Sequence, residues 1–192
     1  MIRVGELTRD AVLTFKEWGA HENPLFFDYN YGSFDEIAYL EWYRTRNSFF
    51  KHYYGIYKDE RYIGFLAEKC KNPITKSAVL GIVLDPNMLS KGYGGEALSM
   101  FLRDYFDRGM HTMKLSVSAH NARALSLYQK LGFVLTRRSF RFIPMTKKGW
   151  EHPSVVEARP FLTRTPFGTI ERVYHMKLTR EHFKEVQDGV FH

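Results

Sequence analysis

The chain has 192 residues, 44% of them hydrophobic and 26% charged, with a formal net charge of +7. That suits one compact domain with a sizeable core, and it excludes a helical membrane protein, because no apolar run approaches the roughly 20 residues of a spanning helix. The single cysteine, Cys70, excludes an intramolecular disulfide and fits a reducing cytoplasm, and the first ten residues hold no apolar stretch of the kind a secretory leader needs.

Ile2, Val4 and Glu6 alternate with their neighbours as a first strand, and Thr8 is placed to cap a helix from Arg9 with Val12 and Phe15 on one side. His21 to Ser33, rich in aromatics and turn residues, reads as a loop, followed by an amphipathic helix from Phe34 to about Arg46. Tyr53–Tyr57 and Tyr62–Glu68 read as a hairpin around Lys58–Arg61. Ala78–Leu84 is almost wholly apolar, as expected of a central strand covered on both faces. A Gly-rich turn leads into a helix ending near Gly109, with Ala97, Leu98, Phe101, Leu102, Tyr105 and Phe106 in one stripe. A strand Met113–Ser118, a short helix Asn121–Leu131 stopped by Gly132, and a long strand Phe133–Phe142 follow. Residues 143–168, with four prolines, read as an irregular flap or arm before a last strand, Ile170–Leu178. The order is that of a mixed α/β single domain over residues 1–192.

Two segments carry chemistry. In Val79–Leu98 a buried strand passes through a turn holding Gly92, Gly94 and Gly95 into a helix N-terminus, whose unpaired N–H groups and partial positive charge suit a pyrophosphate, with Lys91 at the lip. In Ser118–Phe133, Asn121 is placed to cap a helix and Tyr128 lies two turns on along the same face. By themselves these patterns also fit a plain strand-to-helix turn, a helix cap and a core aromatic. The basic residues are dispersed: Arg137-Arg138 with Arg141, and Lys147-Lys148, fall short of a nucleic-acid tail. The histidines do not cluster and no Cys/His ligand set exists, so no metal is expected.

Together the two segments resemble the GNAT superfamily of N-acetyltransferases. Its acetyl-CoA motif, Gln/Arg-x-x-Gly-x-Gly/Ala after a strand ending in an apolar-x-Pro step, is similar to Leu84-Asp85-Pro86 followed by Leu89-Ser90-Lys91-Gly92-Tyr93-Gly94. Its second motif, Asn-x-x-Ala-x-x-x-Tyr-x-Lys-x-Gly-Phe, is matched from Asn121 through Ala124, Tyr128 and Lys130 to Gly132-Phe133. The two cover roughly a third of the chain, and the pair at this separation is far more specific than either alone. Leu89 departs from the pattern, since it cannot donate the hydrogen bond of Gln or Arg; Lys91 and the amides of Ser90–Gly95 then carry more of the pyrophosphate contact.

The resemblance implies a mostly antiparallel twisted sheet of six to seven strands with flanking helices, splayed between strands 4 and 5. It implies acetyl-CoA as co-substrate, with Ile82, Val83 and Leu84 pairing the pantetheine arm, the Leu89–Gly95 turn (Leu89, Ser90, Lys91, Gly92, Tyr93, Gly94, Gly95) taking the pyrophosphate, Asn121 touching the pantetheine and Arg123 reaching the phosphates. Tyr128 is the expected general acid for the leaving thiolate. A base is needed because a free alkyl amine is mostly protonated at pH 7. Glu68 is the first candidate, beside Asp85, Glu22, Asp28 and His120, with Phe26, Phe27, Tyr29 and Tyr31 as a wall for the amine acceptor. Family members often pair through their last strands, so a homodimer stays open. The alternative is a non-catalytic acyl-CoA-binding domain; Tyr128 and the intact Gly92-x-Gly94 turn argue against it, Leu89 for it.

Overall fold

In the computed structural model, residues 1–189 are described. The chain divides into two compact units, Met1–His21 with Asp28–Met113, and Glu22–Phe27 with Lys114–His192. The fold is mixed α/β with mostly antiparallel strands, as the sequence leads one to expect.

In the first unit, β1 (Ile2–Glu6), β2 (His52–Lys58), β3 (Arg61–Asn72) and β4 (Ser77–Leu84) pair antiparallel in chain order. The β2–β3 turn closes with Lys58 opposite Arg61 and Asp59 at φ 53°. Tyr62 through Glu68 of β3 are all buried. β4 is well covered only in its first half: within the stretch Ala78–Leu84, expected to be buried on both faces, Ala78 and Leu80 are buried while Val79 and Gly81 to Leu84 are half-buried.

The helix α1 (Arg9–Leu13) starts at Thr8, whose Oγ1 accepts from the Ala11 N–H at 3.1 Å, and tightens into a 3-10 turn over Thr14–Glu17. α2 (Glu36–Arg44) starts two residues later than expected, because Asp35 takes the capping position and accepts from Ala38 N–H at 2.8 Å. These helices bury Leu7, Val12, Phe15, Trp18 and Tyr39 against Tyr53, Tyr57, Tyr62 and Phe65 of the sheet. Phe15 is the hub: its ring centroid lies 4.6 Å from Trp18, 5.1 Å from Trp42 and 4.9 Å from Tyr31. The contacts with Trp18 and Trp42 are edge-to-face, a geometry that stabilises beyond area burial by about 0.5–1.5 kcal/mol a pair. α3 (Tyr93–Asp107) buries the expected stripe Ala97, Leu98, Phe101, Leu102, Tyr105 and Phe106.

In the second unit the strand order is β5 (Thr112–Ser118), β8 (Gly168–Thr179), β6 (Val134–Ile143), with β7 (Leu162–Thr165) also paired to β8. α4 (Ala122–Lys130) precedes β6. It ends where Gly132 adopts φ 92°, the Gly132 amide donating to Gln129 and the Phe133 amide to Tyr128, a bonding pattern that closes the helix and that only glycine enters without strain. β6 is exposed along nearly its whole length.

Two expectations are corrected. The stretch 143–168 is not irregular: it folds into α5 (Lys147–Trp150), α6 (Pro153–Val156) and β7, which brings the described strands to eight rather than six or seven. Elements of four residues are too short to show a period; α5 is set instead by Thr146, which accepts from Gly149 N–H at 3.1 Å. The chain also forms α7 (Arg180–Gln187), capped by Thr179 and burying only Phe183, too little apolar surface to mark a helix in sequence.

Candidate active site

In the first unit, β4 ends at Leu84 and is followed by Asp85, whose carboxylate is wholly buried. Its Oδ1 accepts from the amides of Asn87 and Gly19, both at 2.9 Å, and its Oδ2 lies 3.4 Å from Arg61. So placed, Asp85 is a structural clamp between the strand end and the segment after α1. Pro86–Met88 forms a tight turn, with the Leu89 amide donating to the Pro86 carbonyl at 3.4 Å.

Gly92 then stands at the head of α3 with φ 84°. A Cβ added there would meet nothing within 4 Å, so the space beside it is open. The helix ladder begins with the amides of Gly95 and Glu96, both donating to the Gly92 carbonyl. The amides of Gly92, Tyr93 and Gly94 therefore come before the first helical bond and carry the positive end of the helix dipole. Gly94 serves a different need: a Cβ there would stand 3.0 Å from Cδ1 of Leu84, so its absence lets α3 approach the end of β4. Lys91 is exposed and Leu89 half-buried beside this turn. An open, amide-lined turn with a lysine at its lip fits a pyrophosphate.

Glu68 is not at this turn. It pairs with Leu80, whereas Leu84 pairs with Gly64, four residues or about 13 Å along the sheet. Its buried carboxylate accepts from the Tyr54 hydroxyl at 2.7 Å and lies 3.4 Å from Arg108 and 3.8 Å from Lys71. Burial first, then the hydrogen bond to Glu68 and its charge, push the Tyr54 hydroxyl well above its ordinary pKa. The arrangement ties β3 to the C-terminal end of α3.

In the second unit, Asn121 caps α4, its Oδ1 accepting from Ala124 N–H at 3.1 Å. Arg123 is exposed in the first turn, and Tyr128 is buried two turns on with its ring 5.7 Å from Phe133. His120, next to the cap, lies with Nε2 3.2 Å from Oε2 of the wholly buried Glu171, and Phe26 packs 5.5 Å from the imidazole. Arg141 grips the other oxygen of Glu171 and reaches Ser118 Oγ at 3.2 Å. Burial is the largest single influence on Glu171 and raises its pKa. The His120 hydrogen bond, the Arg141 charge and the Ser118 contact together outweigh it and hold the carboxyl below its ordinary value.

Glu171 and Arg141 do not stand out in the sequence. The available signal is the phase of β8: Thr169, Glu171 and Val173 share the buried face, so a glutamate sits where a hydrophobe is the rule. Of the expected acceptor wall, Tyr31 instead joins the Phe15 core, and burial lifts its hydroxyl to about 12, while Phe27 and Tyr29 are exposed. Glu22 and Asp28 are exposed.

The family model described as the acetyltransferase (GNAT) family matches residues 14–133, more than half of the chain. The protein belongs to the GNAT family. Its class is therefore that of a GNAT-type N-acetyltransferase. Its fold is similar to that of a spermidine N-acetyltransferase from Vibrio cholerae solved with CoA and spermine, at 16% identity and a TM-score of 0.70 over 95% of this chain and 98% of that one. It is also similar to a ribosomal-protein alanine N-acetyltransferase from Escherichia coli, at 20% identity and a TM-score of 0.62 over 93% and 94% of the two chains. No curated protein matches the chain significantly in sequence. Among the described residues no helix is long and apolar enough to cross a membrane, and no group of three His, Cys, Asp or Glu side chains is arranged to hold a metal.

Proposed function

We propose that this GNAT protein moves the acetyl group of acetyl-CoA to a primary amine, of a small molecule or of a protein, by direct attack in a ternary complex. The observation that carries the reading is the head of α3, where Gly92 is left-handed and open and Gly94 admits the helix against Leu84. The amides of Gly92–Gly94 and Lys91 take the pyrophosphate. Leu89 contributes no side-chain donor, and its own amide is engaged within the turn. The half-buried backbone of Ile82, Val83 and Leu84 pairs with the pantetheine amides as an added strand does, and one N–H polarises the thioester carbonyl. Among the described residues Asn121 is bonded through Oδ1 as a cap, and its Nδ2 donates to a pantetheine carbonyl; Arg123, exposed in the first turn of α4, reaches the phosphates.

In the transfer, the amine lone pair adds to the thioester carbonyl carbon and the C–S bond breaks. The nitrogen loses one proton and the departing sulfur gains one. Tyr128 gives the proton to the sulfur. His120 receives the proton from the amine, with Glu171 holding the imidazole in place and stabilising the imidazolium. Glu68, committed to Tyr54 and Arg108, serves structure instead. The similar structures named for spermidine and for a ribosomal-protein alanine mark aliphatic amines and protein amino groups as the acceptors to try first. An exposed lone Cys70 fits a cytoplasmic location, and the exposed β6 is available to a second copy.

The test is release of free CoA thiol from acetyl-CoA over a panel of polyamines, aralkylamines and N-terminal peptides. Turnover on one class, lost in Tyr128→Phe, supports the reading. Saturable acetyl-CoA binding with no turnover on any acceptor overturns it in favour of a binding domain.

A further inference from the structure

At one end of the first unit, two turns stand side by side. Ser48 and Lys51 bond through both amides, at 2.9 and 3.2 Å, and hold Phe49 and Phe50 at the tip between them. The Lys71 amide donates to the Phe50 carbonyl at 3.0 Å, which sets this tip against the end of β3. Three residues on, the β3–β4 turn carries Ile74, its backbone fixed by Asn72 Oδ1, which accepts from the amides of Ile74 and Thr75 at 3.0 and 2.9 Å.

Both tips are apolar and open. Phe49, Phe50 and Ile74 are 77%, 61% and 90% exposed, and the two rings meet edge to face with centroids 5.0 Å apart. Turn tips are ordinarily Gly, Asn, Asp or Ser, so adjacent large apolar side chains held in water are the informative exception. The charge around them is of one sign. Residues 44–54 and 69–84 together hold six Lys and Arg and no Asp or Glu. Lys51, Lys69 and Lys76 have no ion-pair partner among the described residues. The adjoining carboxylate, Glu68, is wholly buried and already answered by Lys71 and Arg108.

Shape and charge select the partner. Projecting tips bury their area by entering a soft medium, and unpaired lysines around them draw that medium toward negative charge. A second copy docked here by symmetry would set these lysines against their own counterparts, with no carboxylate to answer them. We infer that this end of the protein docks on an anionic lipid bilayer, with Phe49, Phe50 and Ile74 entering the boundary between headgroups and acyl chains and Lys51, Lys69 and Lys76 facing the headgroups. β4 begins beside this end, at Ser77, and runs about 23 Å to Leu84 and the Gly92 turn. The docking end is therefore remote from the turn proposed to take the pyrophosphate and uses none of the residues assigned to acetyl transfer.

The experiment floats the full-length chain with vesicles of phosphatidylcholine alone and of equal parts phosphatidylcholine and phosphatidylserine, at low and high salt. The protein is expected to rise with the mixed vesicles at low salt and to bind phosphatidylcholine alone at least about ten-fold more weakly. Phe49→Ser with Phe50→Ser is expected to weaken binding to the mixed vesicles by at least about ten-fold, with the melting temperature unchanged because both rings already face water. Lys69→Gln with Lys76→Gln is expected to weaken it by about ten-fold and to flatten the salt dependence. The emission of Phe49→Trp is expected to shift to the blue on the mixed vesicles and to be quenched by brominated acyl chains. Absence of flotation, an unchanged affinity in either double variant, or a Phe49→Trp emission that the vesicles leave unmoved overturns the inference. So does a dimer in light scattering that Phe49→Ser with Phe50→Ser dissolves, or a single-stranded oligonucleotide bound more tightly than the mixed vesicles, since either gives these tips another occupant. None of the substituted residues belongs to the transfer reaction, so these results do not bear on it.

Discussion

His120 Nε2 sits 3.2 Å from Oε2 of Glu171, a carboxylate with no exposed surface whose other oxygen is gripped by Arg141. A Glu171 pKa below its ordinary 4.5 means that the folded protein holds this proton less tightly than the unfolded chain. The stabilisation is whole above about pH 4.5 and is lost as pH falls through the lowered folded value. Glu171→Gln should remove that acid-side slope and cost about 1–3 kcal/mol at neutral pH, because Arg141 and His120 lose their charged acceptor. Urea denaturation at pH 3.5 and 7 measures both; an unchanged slope would sink the assignment.

Tyr128→Phe keeps the ring against Phe133 and removes only the hydroxyl. If that hydroxyl protonates the departing thiolate, turnover should fall by about 100-fold or more while acetyl-CoA affinity stays within about two-fold. Full turnover across pH 6 to 9 would remove Tyr128 from the chemistry.

At the head of α3, Gly94→Ala puts a methyl 3.0 Å from Cδ1 of Leu84, and the flexible leucine end has to yield. The expected result is acetyl-CoA affinity lowered several-fold, with stability changed by only about 1 kcal/mol. Adding Leu84→Ala should restore part of the affinity, because the two changes couple across one contact. Strictly additive losses in calorimetric titrations would show that Gly94 does not act through Leu84.

Glu68→Ala leaves Arg108 and the Tyr54 hydroxyl without their buried acceptor and should destabilise the fold by about 3 kcal/mol. The rate per folded molecule should hold. A variant that keeps its melting temperature but loses turnover would return Glu68 to the role of base.

What is legible in the sequence is what local geometry demands. A left-handed residue at Gly92 and at Gly132, a cap at Asn121 and the stripe from Ala97 to Phe106 each follow from neighbours within a turn or two. Glu171 and Arg141 lie thirty residues apart and become a pair only through the register of β6 on β8, which opposes Arg141 to Glu171. Glu68 shows the converse: its place near the end of an apolar strand invites a catalytic reading, and only the arrival of Arg108, forty residues on, reveals an ion pair. β7 and α5 escape because four residues carry no period.

The bond from the Gly19 amide to Asp85 spans 66 positions of sequence. Gly19 follows a 3-10 turn in a stretch with little regular structure, yet its acceptor is sealed from solvent. Its amide proton should therefore exchange as slowly as those of the strands, released only when the first unit opens as a whole. Closing so long a loop carries an entropy cost, and the buried bonds of Asp85 to the Gly19 and Asn87 amides hold it closed. Any opening of the Gly19 segment therefore also loosens the strand end that leads to the Gly92 turn.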